Sequence, residues 1–327
     1  MSEAAADAPA FRFAQISDPH LSDLSGVRWS QLASKRVLGY LSWRRRRRHE
    51  HRPEMLAALS ADLHAIAPGH TVVSGDLTHI ALPGEFREAS DWLRQLGPAE
   101  AVTVVPGNHD RYVHTPWAQS LGLWSSFMSS DGASADHGAQ QLFPLLRVRG
   151  PLAFIGLDSA VPSPPFMATG RLGKRQLERL ADILERLRGS GLLRVLVLHH
   201  PPVPGEEKWR KRLVDAPALC SLLARHPVDM VLHGHRHRAH QSVIRIPGSE
   251  IPVFGIPSAS AAGVLSNYPA EYNLYDIIRD GASWRVRVSA RRFDAATRAF
   301  AGPMFDHVQG TEEGRAALVN QARKVFR

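Results

Sequence analysis

The sequence predicts a domain of α/β type, either a single α/β layer pair or a layered α/β/β/α arrangement, and three observations carry that expectation. Short β-branched and apolar runs alternate with helical runs along most of the chain. Five of the strand-like runs lead directly into Asp, Asn or His: Asp18-Pro19-His20, Gly75-Asp76, Gly107-Asn108-His109-Asp110, His199-His200 and Gly234-His235-Arg236-His237. Near the end, the runs 272–278 and 284–290 are joined around Asp280-Gly281, as in a hairpin.

In order, residues 11–16 read as a strand delivering Asp18 and His20 into a loop. On a helical wheel, Trp29, Leu32, Ala33, Val37, Tyr40, Leu41 and Trp43 share one half and Gln31, Ser34 and Lys35 the other, which predicts an amphipathic helix running into Arg44, Arg45, Arg46, Arg47 and Arg48. Pro53 suits the first turn of a second helix, with Met55, Leu56, Leu59, Leu63 and Ile66 at helical spacing and Pro68-Gly69 as its stop. Residues 71–74 are a strand, 84–96 a helix and 102–105 the strand that reaches Asn108. Residues 116–146 show little pattern and read as helix and loop. Then come strand 152–157, helix 173–188, strand 194–198, helix 216–225 and strand 228–232. The runs 251–256, 272–278 and 284–290 predict an antiparallel second sheet packed on the first. Residues 311–327 form a polar tail.

Composition narrows the chemistry. At 327 residues, 44% hydrophobic and 22% charged, the chain can bury a large core. A single cysteine, Cys220, excludes an intramolecular disulfide and a thiolate-rich zinc cluster, so any metal ligands must be nitrogen and oxygen. Residues 1–9 have neither a basic flank nor an apolar core, and no apolar run reaches membrane-spanning length, so a cytoplasmic location is expected. Of the net charge of +9, residues 28–52 carry +8, from nine basic residues against Glu50 alone. The high pI therefore describes one segment.

Carboxylate and imidazole ligands suit hard or borderline divalent ions, and two ions held close together need a bridging carboxylate. The five strand-end motifs offer that set, and taken jointly they resemble the calcineurin-like metallophosphoesterase family in its bacterial phosphodiesterase branch. That family's order D-x-H, G-D, G-N-H-D/E, H-x-P and G-H-x-H is met by Asp18/His20, Gly75-Asp76, Gly107 to Asp110, His199 with Pro201, and Gly234 to His237. The resemblance implies a four-layer α/β/β/α sandwich of two mixed sheets flanked by helices, spanning residues 1–310 with a basic helical insertion at about 24–52. It also implies two divalent ions (Mn, Fe or Zn). One would sit on Asp18, His20, Asp76 and His237, the other on Asp76, Asn108, His199 and His235, with Asp76 bridging. His200 competes with His199 for the ligand position, or stands behind the ligands. His109 is implied as the catalyst that is not a ligand, and Asp110 as its companion, orienting it or closing the turn. The implied reaction is in-line attack of a metal-activated hydroxide on the phosphorus of a small phosphodiester.

The basic insertion lies outside that shared pattern. Tyr40, Trp43 and Arg44 to Arg48 are candidates for contact with an anionic membrane or with substrate, which keeps open a peripheral membrane enzyme cleaving a lipid-linked pyrophosphate such as UDP-diacylglucosamine. The plainer alternative is a solvated charge run with its tryptophans packed on the core. Nucleic-acid binding is not expected, because no basic strand is interleaved with aromatics. A non-enzymatic scaffold retaining the metal site is the remaining alternative. No pattern bears on oligomeric state.

Overall fold

β1 (Phe11–Ile16) is the strand on which the first sheet is built. The computed structural model describes residues 9–133, 142–281, 283–302 and 306–309. β2 (His70–Val73) and β3 (Val102–Val104) follow β1 in parallel, while β10 (Glu271–Asp280) runs antiparallel on its other side. β11 (Ser283–Asp294), β12 (Ala299–Ala301) and β13 (Asp306–Gln309) extend that side. The second sheet has the order β4-β5-β6-β7-β9-β8. Its members are β4 (Leu145–Arg149), β5 (Leu152–Gly156), β6 (Leu193–Val197), β7 (Met230–His233), β8 (His240–Ile246) and β9 (Ser249–Gly255). β5, β6, β7 and β9 are parallel, with β4 and β8 antiparallel at the two edges.

The sheets pack face to face because alternate strand residues point into the same interior. Phe154, Val195, Val197, Leu232 and Phe254 meet Phe13, Val72, Val104 and Tyr275 in one buried cluster, with Phe13 edge-on to Phe154 at 5.1 Å between ring centroids. Their neighbours Ile155, Leu196 and Val231 face the opposite way, onto helices. Strands buried on both faces read as continuous apolar runs, and these do.

Helices cover the outer faces. α1 (Arg36–Ser42), a wide π-turn (Trp43–Arg47) and α2 (Arg48–Glu50) form the insertion. α3 (Pro53–Ile66) and α4 (Pro83–Leu96) each begin on proline, whose missing N–H costs nothing in a first turn. α5 (Lys174–Arg186) and α6 (Ala216–Arg225) cover the second sheet. Among the described residues no helix is long and apolar enough to cross a membrane.

Three expectations need correction. The last strands do not form a sheet of their own: β9 joins the second sheet parallel to β7, and β10 and β11 return to the first. The helices that follow β5 and β6 bring the next strand back in parallel, so the middle of the chain builds the second sheet, leaving the free edge of β1 for β10. The predicted helix through 29–43 is a short 3-10 turn (Trp29–Leu32), a break at Ser34 with φ of 102°, and then α1. β4 begins at the very end of the stretch read as helix and loop and runs past it, and β8 was not anticipated. The polar tail 311–327 lies outside the described residues.

Candidate dinuclear metal centre

The carboxyl ends of β1, β2 and β3 converge with those of β6 and β7, and their loops are stitched together through main chain. Asp18 N–H donates to Gly75 O, His20 N–H to Asp76 O, and Leu21 N–H to Leu77 O. Gly234 N–H donates to His199 O, tying together the two loops of the second sheet. The crowding forbids side chains at two points. A Cβ on Gly107 would lie 2.1 Å from Asp76 Oδ1, and one on Gly234 would lie 1.9 Å from Ser17 Oγ. Asp18, His20, Asp76, His235 and His237 all have φ between 42° and 71°, the left-handed region that costs a non-glycine residue about 1–3 kcal/mol.

Asp76 lies between two groups of donors. On one side, atoms of Asp18, His20, Asp76 and His237 lie within 4.8 Å of one another, with His237 Nε2 3.1 Å from Asp18 Oδ1. On the other, Asn108 Oδ1 is 2.8 Å from His235 Nδ1 and 3.2 Å from His199 Nε2. One oxygen, Asp76 Oδ2, stands 3.3 Å from His199 Nε2 and 4.0 Å from His20 Nε2, while Asp76 Oδ1 accepts the His109 N–H at 2.7 Å. Two imidazoles are aimed by main-chain carbonyls: His20 Nδ1 donates to Thr78 O and His199 Nδ1 to Ser74 O, so in each ring Nε2 is the nitrogen turned toward the carboxylates.

The electrostatics match a cation site. Burial favours a protonated Asp18, but His237, His199 and the Ser17 hydroxyl outweigh it and hold the carboxyl at about 2. Burial, together with neighbouring imidazoles, pushes His20 and His235 well below the usual histidine range, so both are neutral and available as ligands. His199 behaves oppositely. Burial lowers it, yet Asp76 and Asp18 carry it up to about 9, so the cluster calls for positive charge at that point. His20 Nε2, His235 Nε2 and Asp18 Oδ1 are buried and make no hydrogen bond. Buried polar atoms are normally satisfied, and a cluster of unsatisfied nitrogen and oxygen donors fits divalent ions.

The structure brings together all seven residues put forward as ligands. His200 is turned away, with Nδ1 on Ser159 Oγ at 2.8 Å, Nε2 on Ala168 O at 3.2 Å and its ring 4.6 Å from that of His235. His109 donates from Nδ1 to His79 O at 2.5 Å, and burial, with Arg47 beside it, keeps it neutral. Asp110 does not touch the His109 side chain. Its oxygens take the N–H groups of Asp76, Leu77, Thr78 and Gly107, so of its two expected roles it closes the turn, clamping two loops, and does not orient the His109 ring. Trp43 is buried with Leu24, Leu32, Ile80 and Leu82, so its side chain packs on the core and is not offered at the surface. Tyr40 is half-buried and stacked on Trp43 at 5.8 Å, whereas Arg44, Arg45, Arg46 and Arg48 are exposed.

Sequence reasoning missed two imidazoles. His51 is buried, with its ring 4.5 Å from His20 and its Nδ1 on Ser260 Oγ. His79 stacks on His20 at 4.9 Å. Neither belongs to a strand-end motif, and no spacing signal marks them. Arg47 was grouped with its neighbours, although Trp43, Arg47 and Glu50 fall on one helical face (i, i+4, i+7), a pattern that could have singled it out.

Comparison with known proteins agrees with this geometry. The family model described as calcineurin-like phosphoesterase matches residues 11–239. A protein of Synechococcus sp. named "Probable cyclic nucleotide phosphodiesterase" is 30% identical over 237 residues, covering 71% of this chain and 80% of that protein. One of the same name from Rhodococcus erythropolis is 28% identical over 174 residues, 52% of each. Among solved structures, a dimetal phosphatase from Danio rerio has the same fold, with a TM-score of 0.61 at 15% identity over 92% of this chain and 98% of that one.

Proposed function

The chain belongs to the calcineurin-like phosphoesterase family, and from that membership we propose that it is a dinuclear metal-dependent phosphodiesterase acting on small phosphodiesters, cyclic nucleotides foremost. The observation that carries this reading is the position of Asp76 Oδ2 between two donor groups, His20 with Asp18 and His237 on one side and His199 with Asn108 and His235 on the other. The names of the two bacterial relatives support the choice of diester.

Two divalent ions held by these residues would lower the pKa of a bound water towards about 7 and neutralise phosphoryl oxygens. The imidazoles and carboxylates suit Mn, Fe or Zn alike. The chain's own groups do the positioning. The His109 N–H fixes the rotamer of the bridging carboxylate, Asp110 holds the Asp76 loop against the Gly107 loop, and carbonyls aim His20 and His199. The His109 ring belongs to neither donor group; its Nδ1 is fixed on His79 O beside the centre, which leaves Nε2 to hold a partner at the edge of the site.

The test is hydrolysis of bis(p-nitrophenyl) phosphate and 3′,5′-cyclic AMP by manganese-loaded protein, alongside His109→Ala. Turnover by the wild type is expected, with a loss of about 10²–10³-fold in the variant at unchanged metal content. No hydrolysis of either ester by the metal-loaded wild type would favour the scaffold alternative, and an unchanged rate in the variant would remove His109 from the reaction.

A second reading, contact with an anionic lipid surface, rests on the four exposed arginines of the insertion, with exposed Trp29 near one end of it and Val264 and Leu265 near the other. That surface would present a lipid-linked phosphodiester or pyrophosphate to the same site.

A further inference from the structure

Five consecutive arginines cannot all face one way on a helix. Trp43 is buried in the small cluster under the insertion, and Glu50, seven residues on, is buried where it accepts the Leu265 N–H and the Ser266 hydroxyl. Arg47 lies on that same face and turns inward, while Arg44, Arg45, Arg46 and Arg48 meet solvent. Its Nη1 reaches the His109 ring, 2.9 Å from Nε2 and 3.3 Å from Nδ1. Because Nδ1 already donates to His79 O, Nε2 is the acceptor of this bond.

The guanidinium is left short of partners. It offers five N–H donors and a charge that does not titrate away, yet among the described residues its side-chain partner is one neutral imidazole, and no carboxylate comes within ion-pair distance. Four other arginines that turn inward among the described residues hold carbonyl, hydroxyl or carboxylate partners. Arg147 is ringed by the carbonyls of Ser129, Ala99, Val102 and Ser126, and Arg36 by Ile80 O, Ala81 O and Thr115 Oγ1. Arg111 and Arg12 each hold an aspartate. A half-buried guanidinium with most of its donors free of protein partners is a ready receptor for an anion. Asp76 and Asp18 are near enough to act on its charge, which puts it beside the donor groups.

We propose that Arg47 is the anion-binding residue of this site, taking two non-bridging oxygens of a phosphoryl group in its planar fork while His109 Nε2 steadies it from the other side. The inference rests on the phosphodiesterase reading of the same site. It divides the basic run: one arginine serves the substrate's phosphate and four serve the surface.

The experiment measures orthophosphate binding to manganese-loaded wild type, Arg47→Met and Arg47→Lys by calorimetry, with metal content determined for each. The methionine preserves the packing of the stem, so a folded variant is available even if alanine fails. Affinity for phosphate should fall about 10- to 100-fold in Arg47→Met and recover only in part in Arg47→Lys, with two metals retained in both. Added guanidinium should restore part of the lost turnover of Arg47→Met on bis(p-nitrophenyl) phosphate, which a purely structural role would not allow. Equal phosphate affinity in wild type and both variants overturns the role of Arg47 alone. A metal-loaded wild type that neither binds orthophosphate nor hydrolyses the diester counts instead against the phosphodiesterase reading.

Discussion

The strand-end loops and the insertion at 36–50 both crowd polar side chains around the same centre, but they are held in opposite ways. The loops are knotted together from within, with main-chain bonds joining the β1, β2, β6 and β7 loops and the Asp110 carboxylate collecting four N–H groups. The insertion is held mainly by side chains: Arg36 bonds Ile80 O, Ala81 O and Thr115 Oγ1 at its start, and Trp43 packs on Ile80 and Leu82 in its middle. Glu50 bonds Leu265 and Ser266, Arg52 N–H donates to Ser260 O, and Ala262 N–H donates to Glu50 O. The difference assigns different work: rigid loops set the positions of reacting groups to a fraction of an ångström, while a docked arm adds recognition to a centre it did not build.

Three substitutions would break or sharpen that contrast. The largest effect is expected for Asp76→Ala, which takes the shared oxygen from both donor groups. Elemental analysis should find both metals lost and assays a fall in turnover of about 10³-fold or more. Retention of a full metal complement would show that Asp76 is not the bridge.

Glu50→Ala should act more gently. It leaves the Leu265 N–H and the Ser266 hydroxyl without their acceptor, costing about 1–3 kcal/mol in urea unfolding. A rise in KM of about tenfold should accompany it at normal metal content, because Arg47 immediately precedes the α2 turn that Glu50 anchors. Metal loss in this variant would mean that arm and loops form one unit, and the contrast would fall.

The smallest effect belongs to the joint replacement of Arg44, Arg45, Arg46 and Arg48 by serine. Turnover of a soluble diester should change by less than about twofold, since exposed charges away from the reacting groups contribute little. Co-sedimentation with vesicles containing anionic lipid should drop sharply, each arginine being worth about 1 kcal/mol near such a surface. Unchanged sedimentation would sink the membrane reading.

The two regions also differed in legibility. The loops announce themselves because each requirement falls on neighbouring residues: glycine where backbones touch, then Asp, Asn or His where a donor is needed, after a β-branched run. β1, α3, α4 and β7 followed from periodicity within a residue or two. β8 was unreadable because His240, Gln241, Ser242 and Arg245 interrupt the apolar pattern on an edge strand, and the partnering of β10 with β1 depends on a contact some 260 residues away in sequence. His51 and His79 were invisible for the same reason, since only folding brings them to His20. In the insertion, composition overwhelmed pattern. Five identical residues conceal which one turns inward; the spacing of Trp43, Arg47 and Glu50 hints at it, and the burial of Trp43 and Glu50 on that face makes it plain.

The left-handed backbone at Asp18, His20, Asp76, His235 and His237 bears on how such a site would decay over evolutionary time. Asp, Asn, His and Gly are the residues that tolerate this conformation, and the first three are also those that can donate to a cation. Two selections thus act on the same letters. A descendant freed from catalysis would not drift at random at these positions: valine, isoleucine or threonine would strain the turn, and the accepted changes would be to glycine or asparagine. A run of Gly and Asn in place of His at 20, 235 and 237, with the aspartates still present, would be the fossil of a lost metal centre on an intact fold.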